Sequence, residues 1–421
     1  MSASASRPPM GWNSWDCYGT TVTEEEVLAN ARFLAEHLLP AGWDTVVVDI
    51  AWYDPTARAH GYNADAPIVL DALGRQLPDP VRFPSGADGA GFGPLADAVH
   101  ALGLRFGIHV MRGIPRRAAA QALPIPGTDA TTADIADPAD VCSWNPDDFG
   151  LRLEHPAAQV WLDAQVAQFA AWGVDYLKVD DMLAPYDVAH IEALRRAIDA
   201  SGREIVLSLS PGTALPLTVA EHVAANADLW RISDDVWDRW EDVAPQFDRL
   251  AAWAPVQGRG GWADADMLPL GRIGIRAERG DDRLTRLTQA EQRTLLTLWC
   301  IGRSPLMMGG DLPTSPAETI RMLAHPGLMR LHRASRNGRQ VLREGDLVVW
   351  TAEATDGDAT YAAVFHLGDE ETRIRVPAVA LRAPHAGPAT AVDVWDCWDV
   401  DPADPLVVPP HGCRLLRFDP T

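Results

Sequence analysis

The feature that most restricts the fold of this chain is an alternation. Short apolar runs rich in β-branched residues are each followed by a longer segment with helical spacing. The strand-like runs include Asp44-Thr-Val-Val-Val-Asp49, Leu104–His109, Val174–Asp180, Glu204–Leu209, Asp228–Ser233 and Ser304–Met308. The helical segments include Thr23–Leu38, where Thr23 and Glu26 make a capping box, then Pro94–Leu102, Pro156–Trp172, Val188–Ala200 and Thr288–Gly302. Repeated units of this kind predict a parallel α/β sheet. About eight strands, ending in polar or aromatic residues, predict a closed (β/α)8 TIM barrel rather than an open sheet. No Gly-rich phosphate fingerprint follows the first strand, which argues against a dinucleotide fold and leaves no cofactor to expect.

Near residue 325 the texture changes to short β-rich pieces separated by turn residues: Val341-Leu342, Leu347–Thr351, Tyr361–His366, Thr372–Val376, Thr390–Val394 and Arg414–Phe418. These predict a C-terminal antiparallel β-sandwich. The expected organisation is a catalytic barrel over 1–328 and a sandwich over 329–421, with 113–139 as a long loop over the barrel mouth.

Charge narrows the partners. The 421 residues carry a net charge of -22, which disfavours nucleic acid and anionic membrane surfaces and points to a small-molecule partner. No apolar run approaches the ~18 residues of a membrane span. The N-terminus lacks a secretory pattern, and five scattered cysteines suit a reducing compartment, so a cytoplasmic enzyme is expected. The sequence leaves the oligomeric state open, a homo-oligomer being one outcome.

In a barrel, chemistry sits at the C-terminal strand ends. There the chain places Trp15 and Asp16, Asp49 with Trp52 just beyond, His109, Lys178 and Asp180, Ser208, Arg231 and Asp235, and Asp264, Asp266 and Met267. This mouth of carboxylates, cations and aromatics suits glycoside hydrolysis, which needs two carboxyl groups, one ionised and one protonated. Asp180 and Asp235 are the candidates. Lys178 shares a strand face with Asp180 and would keep it ionised. Arg231 can anchor a sugar hydroxyl, and Trp rings can stack on a pyranose. Taken singly, each residue has a plainer reading: Lys178–Asp180 as a structural ion pair, Asp234, Asp235 and Asp238 as a solvated loop, Asp264 and Asp266 as turn residues. No His pair has metal-ligand spacing and no GxSxG elbow is present, so metal and serine hydrolases are disfavoured.

Five segments in order resemble glycoside hydrolase family 27, the family of α-galactosidases and α-N-acetylgalactosaminidases. They are Pro9-Met-Gly-Trp-Asn-Ser-Trp15, Tyr176-Leu-Lys178-Val-Asp180, Trp230-Arg231-Ile-Ser-Asp-Asp235, Gly261-Trp-Ala-Asp264-Ala-Asp266-Met267-Leu268 and Thr288…Ser304-Pro-Leu-Met-Met-Gly-Gly-Asp311. The resemblance implies double displacement, with Asp180 as nucleophile and Asp235 as general acid/base, and Trp15, Asp49, Lys178 and Arg231 holding the sugar. It implies an α-galactosidase-type retaining exo-glycosidase acting on small oligosaccharides or glycosides. α-N-Acetylgalactosaminidase and β-L-arabinopyranosidase are the alternatives within the family, and a non-catalytic sugar-binding barrel is the alternative outside it. The chain departs from the family pattern at Asp49-Ile50, where α-galactosidases usually carry two aspartates that grip the 4- and 6-hydroxyls. It departs again at His109, usually Tyr, and in the loop Ser208–Ala214, whose small residues suggest room for an acetamido group. The cysteines that form disulfides in secreted members are also missing.

Overall fold

The computed structural model describes residues 6–212, 215–377 and 391–419. Eight parallel strands line up: β1 Met10–Asn13, β2 Thr45–Val48, β3 Arg105–Met111, β4 Tyr176–Asp180, β5 Val206–Leu209, β6 Leu229–Arg231, β7 Trp262–Asp264 and β8 Leu306–Met308. They pair in the order β7-β6-β5-β4-β3-β2-β1-β8. The two ends meet through a parallel bridge between Leu268 and Met308, where the Leu268 N–H donates to the Met307 carbonyl at 2.8 Å. The sheet is thus a (β/α)8 barrel.

Six of the eight strands are buried along their whole length, as Thr45–Val48 is, because helices cover the outer face and side chains fill the inside. The helices used below are α1 Glu24–His37, α2 Gly93–His100, α3 Pro156–Ala171, α4 Val188–Ser201, α5 Ala220–Asn226, α6 Gln246–Trp253, α7 Gln289–Gly302 and α8 Pro326–Arg333. α1 opens with the expected capping box between Thr23 and Glu26, and α7 repeats it with Thr288 and Glu291.

Residues 113–139 are not a plain loop. They hold the strand Ile114–Pro115, helices Arg116–Gln121 and Thr132–Ile135, and the start of strand Ala136–Val141. With Asp148–Leu151 in the middle, these strands form a three-stranded antiparallel sheet beside the barrel mouth. Alanines in the first helix and a Thr131–Asp134 capping box in the second supply the local order that a Pro- and Ala-rich composition disguised.

The C-terminal module has strands β9 Ser335–Glu344, β10 Leu347–Ala354, β11 Thr360–His366, β12 Thr372–Ile374, β13 Ala391–Asp393, β14 Trp398–Val400, β15 Leu406–Val408 and β16 Cys413–Phe418. Six pair as β9-β10-β11-β16-β13-β14 and two as β12-β15, enclosing Val349, Val364, Ile374, Val408 and Leu416. This is the expected β-sandwich; Thr390 lies outside the described residues, and β14 and β15 had no forewarning in the pattern. α7 joins the two modules. Its Thr297 hydroxyl accepts from Trp395 Nε1 at 2.8 Å, and its Thr294 hydroxyl donates to the His411 carbonyl at 2.7 Å. Among the described residues no helix is long and apolar enough to cross a membrane.

Strand packing at β1 leaves no room for a side chain at Gly11, where an added Cβ would sit 2.3 Å from the Thr45 carbonyl oxygen of β2. Gly11→Ala is expected to cost about 1–3 kcal/mol or more through overpacking. Gly93→Ala, whose Cβ meets nothing within 4 Å in α2, is expected to be neutral or stabilising. Thermal unfolding of the two variants checks this; equal melting temperatures would contradict it.

Candidate active site

The C-terminal strand ends converge on a cleft of about 470 Å³. One wall is built around Asp49. Val48 pairs with Ile108 across β2 and β3, so Asp49 stands level with His109, and His109 pairs in register with Lys178 on β4. Asp49 is buried and accepts four hydrogen bonds. His109 Nδ1 at 2.7 Å and the Ile50 N–H at 2.9 Å meet Oδ1; Asn13 Nδ2 at 2.8 Å and Lys178 Nζ at 3.0 Å meet Oδ2. Burial would raise this carboxyl, but His109 and Lys178 outweigh it and hold Asp49 well below the usual range.

The other ring nitrogen of His109 lies 3.2 Å from Asp180 Oδ2, and the Asp181 N–H donates to Asp180 Oδ1 at 2.9 Å. Burial opposes ionisation of Asp180; the His109 contact, Lys178 and that N–H together bring its carboxyl below the ordinary value. His109 itself is raised, because Asp49 and Asp180 overcome burial and the repulsion of Lys178.

The facing wall is built around Arg231 at the end of β6. Its guanidinium pairs with Asp266 at 2.7 Å and with Asp235 at 3.2 Å. Asp266 is fixed from several sides: its Oδ2 accepts the Val236 N–H at 2.7 Å, its N–H donates to Asp264, and its carbonyl accepts Trp299 Nε1 of α7 at 2.8 Å. Burial, with Asp235 and Asp264 nearby, raises the Asp266 carboxyl despite Arg231. The Asp235 side chain is 40% exposed, against 12% for Asp180. One carboxyl is therefore open to whatever enters the cleft, and the other is sunk in it.

Of the residues expected from the sequence, Trp15, Asp49, His109, Lys178, Asp180, Arg231, Asp235, Asp266 and Met267 all line this cleft. Asp234 also lines it but is exposed, and it is Asp235 that pairs with Arg231. Three expected residues do not reach it: Asp264, which accepts the Asp266 N–H, and Trp52 and Ser208. Trp52 is fully buried among Tyr53, Phe92 and Trp172, and its Nε1 supports the His109 carbonyl at 2.7 Å. Ser208 is buried in β5 beside the Tyr176 hydroxyl. Gly212 is small because an added Cβ would sit 1.9 Å from the Arg231 carbonyl oxygen. Thr213 and Ala214 lie outside the described residues.

Tyr62, Trp144, Glu278 and Arg279 line the cleft without sequence warning. Tyr62 stacks on Trp15 with centroids 5.6 Å apart and tilts against Trp144 at 5.2 Å, extending an aromatic wall outward. All four come from long loops, where no period marks a residue. Asp16 lines the cleft too, with Oδ2 buried and unpartnered; burial, Asp266 and Asp235 raise its carboxyl well above the usual range.

The chain is similar to known proteins along its length. Residues 148–329 match the family model described as alpha galactosidase A, and 344–418 match that of the alpha galactosidase C-terminal beta sandwich domain. A β-L-arabinopyranosidase of glycoside hydrolase family 27 from Geobacillus stearothermophilus, solved with arabinose, is 44% identical with a TM-score of 0.95, covering 99% of this chain and 98% of that one. A putative α-N-acetylgalactosaminidase from Bacillus halodurans is 41% identical with a TM-score of 0.88, covering 98% and 97%. The α-N-acetylgalactosaminidase of Rattus norvegicus is 30% identical over 77% of this chain and 68% of its own length.

The Asp49 network has a signed pH dependence. Asp49 and Asp180 have depressed folded values, so their stabilisation is present above the unfolded value of about 3.9 and is lost as pH falls. The His109 share is present below about 6.5 and is lost as pH rises through its raised folded value. Asp49→Asn is expected to cost about 3–5 kcal/mol near pH 5–6, with the gap to the parent shrinking below pH 4. Thermal unfolding across pH measures this; a gap independent of pH would refute it.

Proposed function

Since the chain belongs to glycoside hydrolase family 27 and is a glycosidase, we propose that Asp180 and Asp235 hydrolyse a terminal pyranoside of galacto configuration by double displacement. We further propose that β-L-arabinopyranosides are preferred to α-D-galactosides. Asp180, buried and ionised, attacks the anomeric carbon and forms the glycosyl-enzyme. Asp235, open to the cleft and steadied by Arg231, gives its proton to the leaving oxygen and then takes one from the incoming water. Asp49, Lys178 and Arg231 hold the ring hydroxyls, and Trp15 meets its apolar face.

The observation that carries the substrate preference is position 50. A β-L-arabinopyranoside has the ring stereochemistry of an α-D-galactoside and lacks only the C5 hydroxymethyl. Ile50 is fully buried in the apolar cluster that includes Trp15 and Met267, both of which line the cleft. It offers nothing to a 6-hydroxyl, and its N–H is committed to Asp49. The similarity to an arabinopyranosidase supports the same reading. α-D-Galactosides remain the second substrate, because the Asp49, Lys178 and Arg231 contacts do not depend on C5. The acetamido alternative loses support, since packing accounts for the small residues Ser208 and Gly212. Five free thiols, four of them buried, fit a reducing compartment and a cytoplasmic enzyme working on small glycosides.

On p-nitrophenyl glycosides, kcat/KM for the β-L-arabinopyranoside is expected to exceed that for the α-D-galactoside about tenfold or more, a difference of roughly 1.4 kcal/mol. Ile50→Asp should move the ratio toward the galactoside. Asp180→Asn should lower both activities by about 10³-fold or more. Asp235→Asn should slow alkyl glycosides far more than p-nitrophenyl ones. A galactoside preference in the parent enzyme would reject the substrate assignment; full activity in Asp180→Asn would reject the mechanism.

A further inference from the structure

One guanidinium grips the peptide that follows Asp180 from several directions. Arg112 directly follows β3 and is buried. Its backbone N–H donates to the Asp180 carbonyl at 3.1 Å. Its Nε lies 2.8 Å from the Asp181 carbonyl and 3.0 Å from Asp181 Oδ2. Its Nη1 and Nη2 fork onto Asp140 at 2.5 and 2.6 Å. Asp140 belongs to strand Ala136–Val141 of the three-stranded insert, so the fork also joins that insert to the barrel.

The gripped peptide has an uncommon conformation. Asp181 has φ +61, the left-handed region, which is unfavourable for an L residue though aspartate tolerates it better than most. In this conformation the Asp181 N–H donates to Asp180 Oδ1 at 2.9 Å. Strain of this sort persists only where the surroundings over-determine it. Arg112 does so here, holding both the carbonyl and the carboxylate of Asp181.

We propose that Arg112 is a positioning residue for the nucleophile: by keeping Asp181 left-handed it holds the Asp181 N–H on Asp180 and so fixes the aim and the charge of that carboxylate. This rests on the assignment of Asp180 as nucleophile. A hydrogen bond to the charged form of a carboxyl favours that form, so loss of the N–H contact raises the pH at which Asp180 takes up a proton. The ionisable groups facing Asp180 are His109 from β3, Lys178 from β4, Arg231 from β6, Tyr62 from the loop after β2, Cys142 from the insert, and Asp181 itself.

The test separates conformation from charge. Arg112→Met is expected to lower kcat about 10- to 100-fold and to move the acid limb of kcat/KM to higher pH. Removing the Arg112 charge would shift that limb in the same direction, so two double variants decide. Arg112→Met with Asp181→Gly lets residue 181 reach positive φ freely. Arg112→Met with Asp181→Ala removes the same charges without that freedom. Recovery of rate and acid limb in the glycine variant but not in the alanine variant is the expected result. Equal behaviour of the two, or an Asp140→Asn variant that reproduces Arg112→Met in full, would overturn the proposal in favour of simple anchoring of the insert. If Arg112→Met does not fold, Arg112→Lys carries the same comparison. Labelling with a cyclophellitol-type probe keeps the two questions apart. A label away from Asp180 in the parent enzyme refutes the nucleophile assignment. A label on Asp180 with an unmoved acid limb in Arg112→Met refutes only the role of Arg112.

Discussion

Burying the Asp49 carboxylate at the end of β2 is costly unless every lone pair finds a donor, and much of the molecule is arranged to supply them. Asn13 comes from β1, Ile50 from the turn after β2, His109 from β3 and Lys178 from β4. Four adjacent pieces of the barrel are thereby set against one another at their C-terminal ends. The same donors settle the neighbouring carboxylate: His109, oriented by Asp49 through Nδ1, turns Nε2 toward Asp180. Trp52 acts one layer further out. It never meets the cleft, yet it holds the His109 carbonyl, and its aromatic neighbours Phe92 and Trp172 pack it in place.

The opposite wall depends on a second buried charge, Arg231, and here the sandwich takes part. Asp266 sits at φ +89 with its carbonyl held by Trp299 of α7. The same helix carries Thr294 and Thr297, which bond to His411 and Trp395 of the sandwich. A chain of direct contacts therefore runs from the C-terminal module through one helix to the residue that braces Arg231. The module's contacts with the site run through this packing; among the described residues none of the module lines the cleft.

The barrel was legible because its period is physical. Parallel strands covered on both faces read as apolar runs, as Thr45–Val48 does, and Tyr176–Asp180 breaks its run only at Lys178 and Asp180, which line the cleft. Candidate site residues at strand ends were legible for a related reason: register sets His109 beside Lys178, and Asp180 follows two residues on along the same strand face. What stayed hidden lies in loops. Tyr62 and Trp144 depend on how long loops close over the mouth, and the insert sheet that carries Asp140 was masked by its Pro- and Ala-rich composition. Trp52 and Ser208 misled for a different reason: a residue near a strand end points into the cleft or into the packing beneath it, and sequence position alone does not say which. The small loop residues misled similarly, because Gly212 answers to the approach of the Arg231 backbone rather than to a ligand.

In the function proposed above, position 50 ties substrate preference to the charge of the site. Lys178 and His109 are the cations that offset Asp49 and Asp180, and Asp49 already takes one contact from each. A second carboxylate next to Asp49 would compete for the same two cations, and like charges so close raise one another's proton affinity. Isoleucine there avoids the competition and fills the apolar space beside Trp15 and Met267. On the substrate reading proposed above, the loss of a grip on a 6-hydroxyl and the retention of two ionised carboxylates are one structural choice.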